Sequence, residues 1–414
     1  MKGKTKICFL NDTARNGGPG RSLLTILNNI DREKYHRLVV LPRDGVVAEM
    51  YRDHHAADEL RFEPGMIENP FEPWSRAMVR EDYEAPVPLR GARLMGNVAR
   101  AAFGLRGLGA ALKREGTDLV YCNGTNANFA GGAIANLFKI PALWHVRYTH
   151  IPPAASWIHD SLAASEKVRR IVCVSEASRS LFPRIHQKTA VVHNAIDLTQ
   201  FQKSAVVPCL RKELQIPKGD VIFGSFGRVL PRKGYLEMVE AAKRMKADMS
   251  PEEWSATWFI VLGDTPEDLR PNHLEECIAK TKELGVDDRF RFLGFREDVR
   301  PYVADFDISV VPSVYPDPLP RAVIESMGFE LPVIGFALGG IQEMIQDGRN
   351  GRLLSGNPPD VEGLARAMLQ YRRDGALREA QGKTAREHVV KHFDAAAHGK
   401  AISAEMDRAI ATRG

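Results

Sequence analysis

Short apolar runs alternate with amphipathic stretches along most of the chain. The runs predict strands at residues 6–10, 38–41, 118–122, 142–146, 170–175, 190–192, 221–226, 258–262, 290–293, 308–311 and 332–336. They are apolar at nearly every position, which is typical of parallel strands covered on both faces. The stretches between them, such as 126–138 and 321–328, have helical spacing. Strands and helices in alternation predict an α/β protein with doubly wound parallel sheets.

Two regions interrupt this alternation in the first half of the chain. Residues 63–89 are polar and predict an excursion over the surface. Residues 90–114 contain no acid and six cations, at Arg90, Arg93, Arg100, Arg106, Lys113 and Arg114. Because apolar residues are interleaved with these cations, the segment is either a helix lying on an anionic membrane surface or a helix that packs on the sheet with solvated arginines. Glycines at positions 96, 104, 107 and 109 weaken a continuous helix.

The length of 414 residues exceeds what one core usually supports, so two domains are predicted. A polar, irregular stretch at 201–219 suggests a linker, and the predicted domains are 1–203 and 204–393, with a helix at about 394–414 packing back on the first. An apolar fraction of 44% and a net charge of +5 are ordinary for a soluble protein and do not indicate nucleic acid. Five scattered cysteines suit a reducing compartment. The first apolar run is predicted to be a strand and no run of about 18 apolar residues exists, so a cytoplasmic protein without a transmembrane helix is expected.

In the second half, charged residues follow the ends of predicted strands. Arg228 and Lys233 flank a turn after one strand, and two cations at such a corner suit a diphosphate. Asp317 follows a later strand and Glu325 lies about two helical turns further on. Carboxylates there would accept hydrogen bonds from vicinal sugar or ribose hydroxyls. The pair Gly339–Gly340 opens another predicted helix, whose unpaired N–H groups suit phosphate.

The first half has a glycine-rich loop and a histidine at two predicted strand ends. Gly17, Gly18 and Gly20 precede a helix, and glycines there let the backbone approach a ligand. The pattern is not GxGxxG and no acid ends the next strand, which disfavours a dinucleotide oxidoreductase. His145 ends the strand at 142–146 and Arg147 follows it, which favours a role for His145 in the site.

Eight motifs along the chain resemble those of the retaining glycosyltransferases of family four. They are GGPGRS, VSE, VVHNAID, FGRVLPRKG, VLGD, LGFREDV, DPLPRAVIESMGFELPVIG and GGIQEMI. The resemblance implies the GT-B fold, with two Rossmann-like doubly wound domains facing an interdomain cleft. The family has two glutamates separated by seven residues; here Asp317 takes the first place and Glu325 the second. The prolines of Pro318-Leu319-Pro320, where the family often has glycine, remove backbone donors for phosphate.

The resemblance also implies roles for individual residues. Arg228 and Lys233 would bind the diphosphate of a nucleotide sugar, Asp317 the transferred sugar and Glu325 the ribose. The predicted catalytic set is His145, Asp317, Arg228 and Lys233. The predicted donor-binding set is Gly18, Arg228, Lys233, Phe295, Arg296, Asp317, Leu319 and Glu325. The predicted acceptor-binding residues are Arg21 and Arg147. No metal and no cofactor besides the donor sugar is implied.

The predicted reaction transfers a hexose, with retention, to a hydroxyl of a glycan or lipid-linked acceptor in surface polysaccharide or lipopolysaccharide assembly. Reaction on one face of the sugar, with the departing phosphate taking the acceptor proton, is one route; a covalent intermediate on Asp317 is another. An epimerase of the same architecture and a non-catalytic nucleotide- or glycan-binding protein are alternative functions. An anionic membrane surface at the inner face of the plasma membrane is a further expected partner, through residues 90–114.

Overall fold

A computed structural model describes residues 3–14, 17–66, 87–266 and 271–411, with side chains from residue 91 onward in the helix that begins at Val87. The chain forms two compact units. The first unit is Met1–Ala195 together with Ala395–Gly414, and the second is Ile196–Asp394. The C-terminal helix, Ala395–Ala411, therefore belongs to the first unit, although the whole second unit separates the two in sequence.

The described part of the first unit contains one parallel seven-stranded sheet. Its strands are β1 Thr5–Asn11, β2 Tyr35–Leu41, β3 Glu59–Phe62, β4 Leu119–Asn123, β5 Ala142–Val146, β6 Val168–Cys173 and β7 Thr189–Val191. Their order is β3-β2-β1-β4-β5-β6-β7, with every neighbouring pair parallel. The direction of winding reverses between β1 and β4, and in such sheets ligands bind beyond the carboxyl ends of the strands at that point.

Helices cover both faces of this first sheet. One face carries Val87–Arg114, Thr125–Phe138 and Pro153–Ala164, whose apolar side chains share a core with β4 and β5. The other face carries Gly18–Asn29, Val46–Asp53 and Ala395–Ala411. The C-terminal helix is held there by buried Ile402 and Met406, and its Asp407 accepts a hydrogen bond of 2.7 Å from the Tyr35 hydroxyl. A short helix, Glu176–Arg179, and a 3-10 helix, His186–Lys188, connect the last strands.

The described part of the second unit contains a parallel six-stranded sheet. Its strands are β8 Val221–Phe226, β9 Thr257–Leu262, β10 Phe290–Phe292, β11 Ile308–Val311, β12 Val333–Phe336 and β13 Gly351–Leu354, in the order β10-β9-β8-β11-β12-β13. Its α-helices are Leu210–Glu213, Tyr235–Ala247, Pro251–Ser255, His273–Glu283, Arg300–Val303, Arg321–Gly328, Val361–Arg373 and Gly375–His392. The winding reverses between β8 and β11, so the loops after these two strands meet at the carboxyl edge.

The two doubly wound sheets confirm the predicted fold class, and two local predictions are corrected. The helix predicted at Gly339–Gly340 is a 3-10 helix, Gly339–Glu343. The helix Val87–Arg114 is continuous despite its glycines. Within this helix, Gly109 is required for packing, since a Cβ there would lie 2.3 Å from the Phe138 ring. The surface excursion predicted for 63–89 falls largely outside the described residues. In the described part of the whole chain, no helix is both long and apolar enough to cross a membrane.

Candidate functional site

Two loops of the second unit are in direct contact at the carboxyl edge of its sheet. After β8 the chain turns through Gly227 and a 3-10 helix, Pro231–Lys233, into the left-handed Gly234, with φ 74°. A Cβ at Gly234 would lie 1.8 Å from the carbonyl oxygen of Pro312, which follows β11. The Val314 amide donates to the carbonyl of Arg232 at 3.1 Å. These backbone contacts bring the cationic turn after β8 beside the acidic loop after β11.

Lys233 and Asp317 form an ion pair where the two loops meet. The distance between Lys233 Nζ and Asp317 Oδ2 is 2.5 Å, and the side chains are 21% and 8% exposed. The Tyr315 ring lies beside the pair, with Lys233 Nζ 5.8 Å from its centroid. Burial, together with the negative charge of Asp317, raises the pKa of Tyr315 to about 12, while Arg232 and Arg228 oppose the rise. The charges of Arg228 and Asp317 therefore act on the same phenol.

The loop after β12 supports Asp317 from the other side. The Gly340 amide donates to the carbonyl of Asp317 at 2.8 Å. A Cβ at Gly339 would lie 2.2 Å from that carbonyl oxygen, and one at Gly340 would lie 2.0 Å from the carbonyl oxygen of Pro318. Both glycines are thus required by close backbone packing, and they fix the position of the Asp317 main chain.

Glu325 lies on the helix Arg321–Gly328, which begins directly after this loop. Glu325 is 6% exposed, and its Oε1 accepts a hydrogen bond of 2.9 Å from Arg321 Nε. The two residues are four apart on one helix, the spacing at which side chains meet. Leu319, in the loop before the helix, is 3% exposed and contributes to the packing there.

The other predicted donor residues lie after β8 and β10. Arg228 is exposed directly after Gly227. Phe295 is 58% exposed, and the Arg296 guanidinium lies 5.4 Å from the centroid of the Tyr302 ring. The turns after β8, β9 and β10 are in contact. The Gly263 amide donates to the carbonyl of Gly294 at 2.8 Å, and a Cβ at Gly263 would lie 1.8 Å from the carbonyl oxygen of Gly227.

In the first unit, His145 and Arg147 are joined in a polar cluster at the carboxyl edge. Arg147 donates from Nε to Asn123 Oδ1 at 2.7 Å and from Nη1 to Asn194 Oδ1 at 2.5 Å. Its Nη2 lies 3.3 Å from His145 Nδ1, which is also hydrogen-bonded to the Tyr121 hydroxyl. The guanidinium is therefore oriented by residues from three different strand ends.

The buried imidazole of His145 is neutral. It is 0% exposed, and burial, aided by the positive charge of Arg147, holds its pKa well below the ordinary value. Because a guanidinium only donates, Nδ1 accepts, so the proton resides on Nε2. Nε2 has no hydrogen-bond acceptor among the residues that the structure describes. It is thus a buried donor.

Gly18 and Arg21 lie at the start of the helix Gly18–Asn29. Gly18 is exposed, and the Arg21 amide donates to the carbonyl of Gly17 at 3.2 Å. Asn123 Nδ2 connects this helix to the polar cluster, since it donates to the carbonyl of Pro19 at 3.1 Å. Glycine at this turn leaves room in front of the helix N-terminus, where an anion is favoured.

Sequence reasoning missed the residues that hold the predicted ones in place. Tyr121, Asn123 and Asn194 position His145 and Arg147, and Arg321 pairs with Glu325. Two signals were present: Asn123 ends an apolar run, as a polar residue at a strand end, and Arg321 precedes Glu325 by four. No group of three His, Cys, Asp or Glu side chains arranged to hold a metal occurs within the described ranges.

Comparison with known families identifies the class of protein. Residues 207–388 match the model described as glycosyl transferases group 1, and residues 16–200 match glycosyltransferase family 4. The two matches follow one another and together span most of both units. The chain belongs to this glycosyltransferase family, as the motifs of the sequence predicted.

Curated relatives agree with this assignment, and a solved structure agrees with the fold. The chain is 31% identical over 188 residues to the lipopolysaccharide core biosynthesis glycosyltransferase LpsE of Rhizobium meliloti (strain 1021), a match covering 45% of this chain and 50% of that protein. It is 22% identical over 300 residues to the UDP-Gal:alpha-D-GlcNAc-diphosphoundecaprenol alpha-1,3-galactosyltransferase of Escherichia coli, covering 68% and 73%. The structure of Anabaena Alr3699/HepE in complex with UDP and glucose superimposes with a TM-score of 0.77 at 21% identity, covering 97% of this chain and 99% of that one. This likeness confirms the GT-B fold class.

Proposed function

We propose that this protein is a retaining hexosyltransferase that uses a nucleoside diphosphate sugar as donor and a hydroxyl of a glycan or lipid-linked molecule as acceptor. The observation that carries the proposal is the Lys233–Asp317 ion pair. It places a cation suited to a diphosphate beside a carboxylate suited to sugar hydroxyls, at one edge of the sheet. Relatives named for lipopolysaccharide core synthesis and for transfer to a diphosphoundecaprenol-linked sugar support an acceptor in lipopolysaccharide or surface polysaccharide assembly. HepE complexes with UDP and UDP-glucose support a uridine nucleotide as the first donor to test.

The second unit supplies the donor chemistry. Arg228 and Lys233 neutralise the diphosphate, and they stabilise it further when it leaves with additional charge. Asp317 accepts hydrogen bonds from hydroxyls of the transferred sugar, and Glu325 from those of the ribose. Phe295 and Arg296 lie in the loop after β10 and contact the nucleobase of the donor. The ion pair preorganises Lys233 and Asp317, so that little side-chain freedom is lost when the donor binds.

The reaction proceeds on one face of the sugar. The bond between the anomeric carbon and the phosphate oxygen breaks, and the acceptor oxygen forms its bond to that carbon from the same side. The acceptor proton passes to the departing phosphate oxygen, so no separate base and no metal is needed. In the first unit, Arg21 and Arg147 orient the acceptor, and neutral His145 donates from Nε2 to an oxygen at the reacting centre.

A thermal-shift panel of nucleotide sugars tests the donor class, because a ligand that binds only the folded state raises the melting temperature. We expect a UDP-hexose to raise Tm while nicotinamide nucleotides leave it unchanged. The purified protein is then incubated with the stabilising donor, and the anomers formed are followed by proton NMR from the first turnovers. Release of the α-hexose from an α-linked donor supports retention, whereas release of the β-hexose contradicts it.

Substitution links that activity to the site. Glu325→Gln and Arg228→Gln are each expected to remove most donor hydrolysis while the protein remains folded. Accumulation of a free epimer of the donor would instead indicate an epimerase. A protein that binds the donor yet hydrolyses none of it, with or without acceptor glycans, would be a binding protein and would overturn the proposal.

A further inference from the structure

The helix Val87–Arg114 extends past the sheet that it covers. It joins the core of the first unit through Leu105, Leu108 and Leu112, all in its last ten residues. The preceding part, residues 87–104, is about 27 Å long at about 1.5 Å per residue. Gly104 packs on Gly65, which comes after the end of β3, so residues 87–104 lie beyond the carboxyl edge of the sheet. The described side chains among them are all half-buried or exposed.

Residues 91–104 expose large apolar side chains. Met95 is 68% exposed, Val98 49% and Phe103 79%. An exposed phenylalanine has to be solvated at a free-energy cost that burial against an apolar phase would remove. On the same helix, Arg100 and Arg106 are exposed, and its described side chains include no acid. The helix thus combines exposed apolar side chains with several cations and, among its described side chains, no acid.

The other helices on the same face of the sheet also expose large apolar side chains. Trp157 is 77% exposed and Ile158 47%, both on Pro153–Ala164, which shares a core with Val87–Arg114. Leu137, on the helix Thr125–Phe138, is 66% exposed. On the helices of the opposite face, Val46 is the one large apolar side chain with comparable exposure among the residues described. The exposed apolar area of this unit's helices is therefore concentrated on one face.

We propose that this face binds the surface of an anionic lipid bilayer. Its contact surface, the apolar–basic surface, consists of Met95, Val98, Phe103, Trp157, Arg100 and Arg106. Phe103 and Trp157 insert at the level of the headgroups, where aromatic rings are favoured, and the arginines lie over lipid phosphates. A second copy of this chain is a poorer occupant, because two such basic surfaces repel each other. The inference is independent of the donor chemistry and goes beyond it, since it names the surface that delivers the enzyme to lipid-linked material.

The test is co-sedimentation of the full-length protein with vesicles of phosphatidylcholine containing about a quarter phosphatidylglycerol. We expect binding that is at least about tenfold weaker on pure phosphatidylcholine and is lost in about 0.5 M salt. The double substitution Met95→Ser/Phe103→Ser and the double substitution Arg100→Glu/Arg106→Glu should each weaken binding at least about tenfold. Quenching of tryptophan fluorescence by brominated lipid should fall when Trp157 is replaced by Phe.

Matched controls lie on the opposite face of the same unit. Val46→Ser removes an apolar side chain that is 50% exposed, and Lys400→Glu reverses an exposed charge on the helix Ala395–Ala411. Neither should change vesicle binding. The proposal is overturned if the wild-type protein binds neutral and anionic vesicles equally, or if the controls weaken binding as much as the test variants. A dimer in sedimentation velocity that Met95→Ser/Phe103→Ser dissociates, without vesicle binding, would assign the surface to a second copy.

Discussion

The ammonium nitrogen of Lys233 lies 2.5 Å from Oδ2 of Asp317, and the carbonyl oxygen of the same aspartate accepts the Gly340 amide at 2.8 Å. Three loops, after β8, β11 and β12, thus meet at one residue. The family has glutamate at the first acid position, whereas this chain has the shorter aspartate. Asp317 carries out two tasks in this arrangement, because its side chain holds Lys233 and its main chain holds the turn after β12.

Asp317→Asn should separate binding from turnover. The amide no longer opposes the charge of Lys233, so the bare nucleoside diphosphate should bind about two- to tenfold more tightly. Turnover should fall about a hundredfold, because the sugar loses a charged acceptor. Calorimetry with UDP and initial rates with the UDP-hexose selected by the thermal-shift panel measure the two effects. Asp317→Glu is the control, since it keeps the charge and should retain more activity than Asp317→Asn.

Lys233→Met should reduce transfer about a hundred- to a thousandfold, because the leaving diphosphate loses a preorganised cation. The matched control is Arg232→Met, one residue earlier in the same turn. The guanidinium carbon of Arg232 lies 5.0 Å from the centroid of the Tyr315 ring, and Arg232 is more exposed than Lys233. The Arg232→Met variant should retain activity within about threefold of wild type. Equal losses in both variants would mean that the turn contributes a general positive field and not one specific contact.

Sequence patterns were sufficient for the strands that matter most to the site. The predicted strands at 142–146, 221–226 and 308–311 coincide with β5, β8 and β11. These strands are buried along their whole length and end at polar or turn-forming residues, so hydrophobic burial alone determines their bounds. For the same reason the residues directly after them could be selected as candidates.

Contacts between loops could not be predicted from the sequence. Lys233 and Asp317 are 84 residues apart, and their distance depends on how two crossovers set the turns after β8 and β11. The complete burial of His145 likewise could not be predicted, because the face on which its side chain lies is covered partly by the helix Ala395–Ala411 from the far end of the chain. A polar residue at a strand end indicates a site; its exposure depends on packing that no local pattern encodes.

Gly340→Ala should damage the donor site through the main chain. The new Cβ would lie 2.0 Å from the carbonyl oxygen of Pro318, and backbone cannot yield as a flexible side chain can. Overpacking of this kind costs about 1–3 kcal/mol, and each kcal/mol lowers Tm by about 2–4 °C in a domain of this size. Differential scanning calorimetry and UDP binding measure both effects. Gly219→Ala is the control, because no atom lies within 4 Å of a Cβ there.

The first unit should lose stability in acid through Asp58. Hydrogen bonds from Arg37, which is 3% exposed, lower the pKa of Asp58 to about 2. A carboxyl whose pKa is lower in the folded state stabilises the protein above its unfolded value near 4, and this contribution is lost as pH falls from about 4 to 2. It amounts to about 1–2 kcal/mol once solvent screening is allowed for.

Asp58→Asn should therefore lower the free energy of unfolding by about 2–4 kcal/mol at pH 7, because the buried guanidinium loses its partner. The difference in the free energy of unfolding between Asp58→Asn and the wild-type protein should decrease by about 1–2 kcal/mol as the pH falls from 5 to 2.5. Urea titrations across this range measure it. Asp44→Asn removes an exposed ion pair with Arg52, 2.8 Å long, and should leave stability nearly unchanged. A difference that stays constant with pH would contradict the assignment to Asp58.

His145 should remain neutral throughout the pH range in which the enzyme works. Burial and the adjacent Arg147 hold its pKa well below the ordinary value, and the Arg147 contact fixes the proton on Nε2. Nitrogen-15 NMR of the imidazoles should show the Nε2–H tautomer and a pKa well below the ordinary histidine value, the resonance being assigned by its loss in His145→Gln. Since the neutral ring donates a hydrogen bond and transfers no proton, the acid limb of kcat should keep its midpoint in His145→Gln while kcat itself falls. If the limb moves with that substitution, His145 acts as an acid or base and the neutral-donor role is wrong.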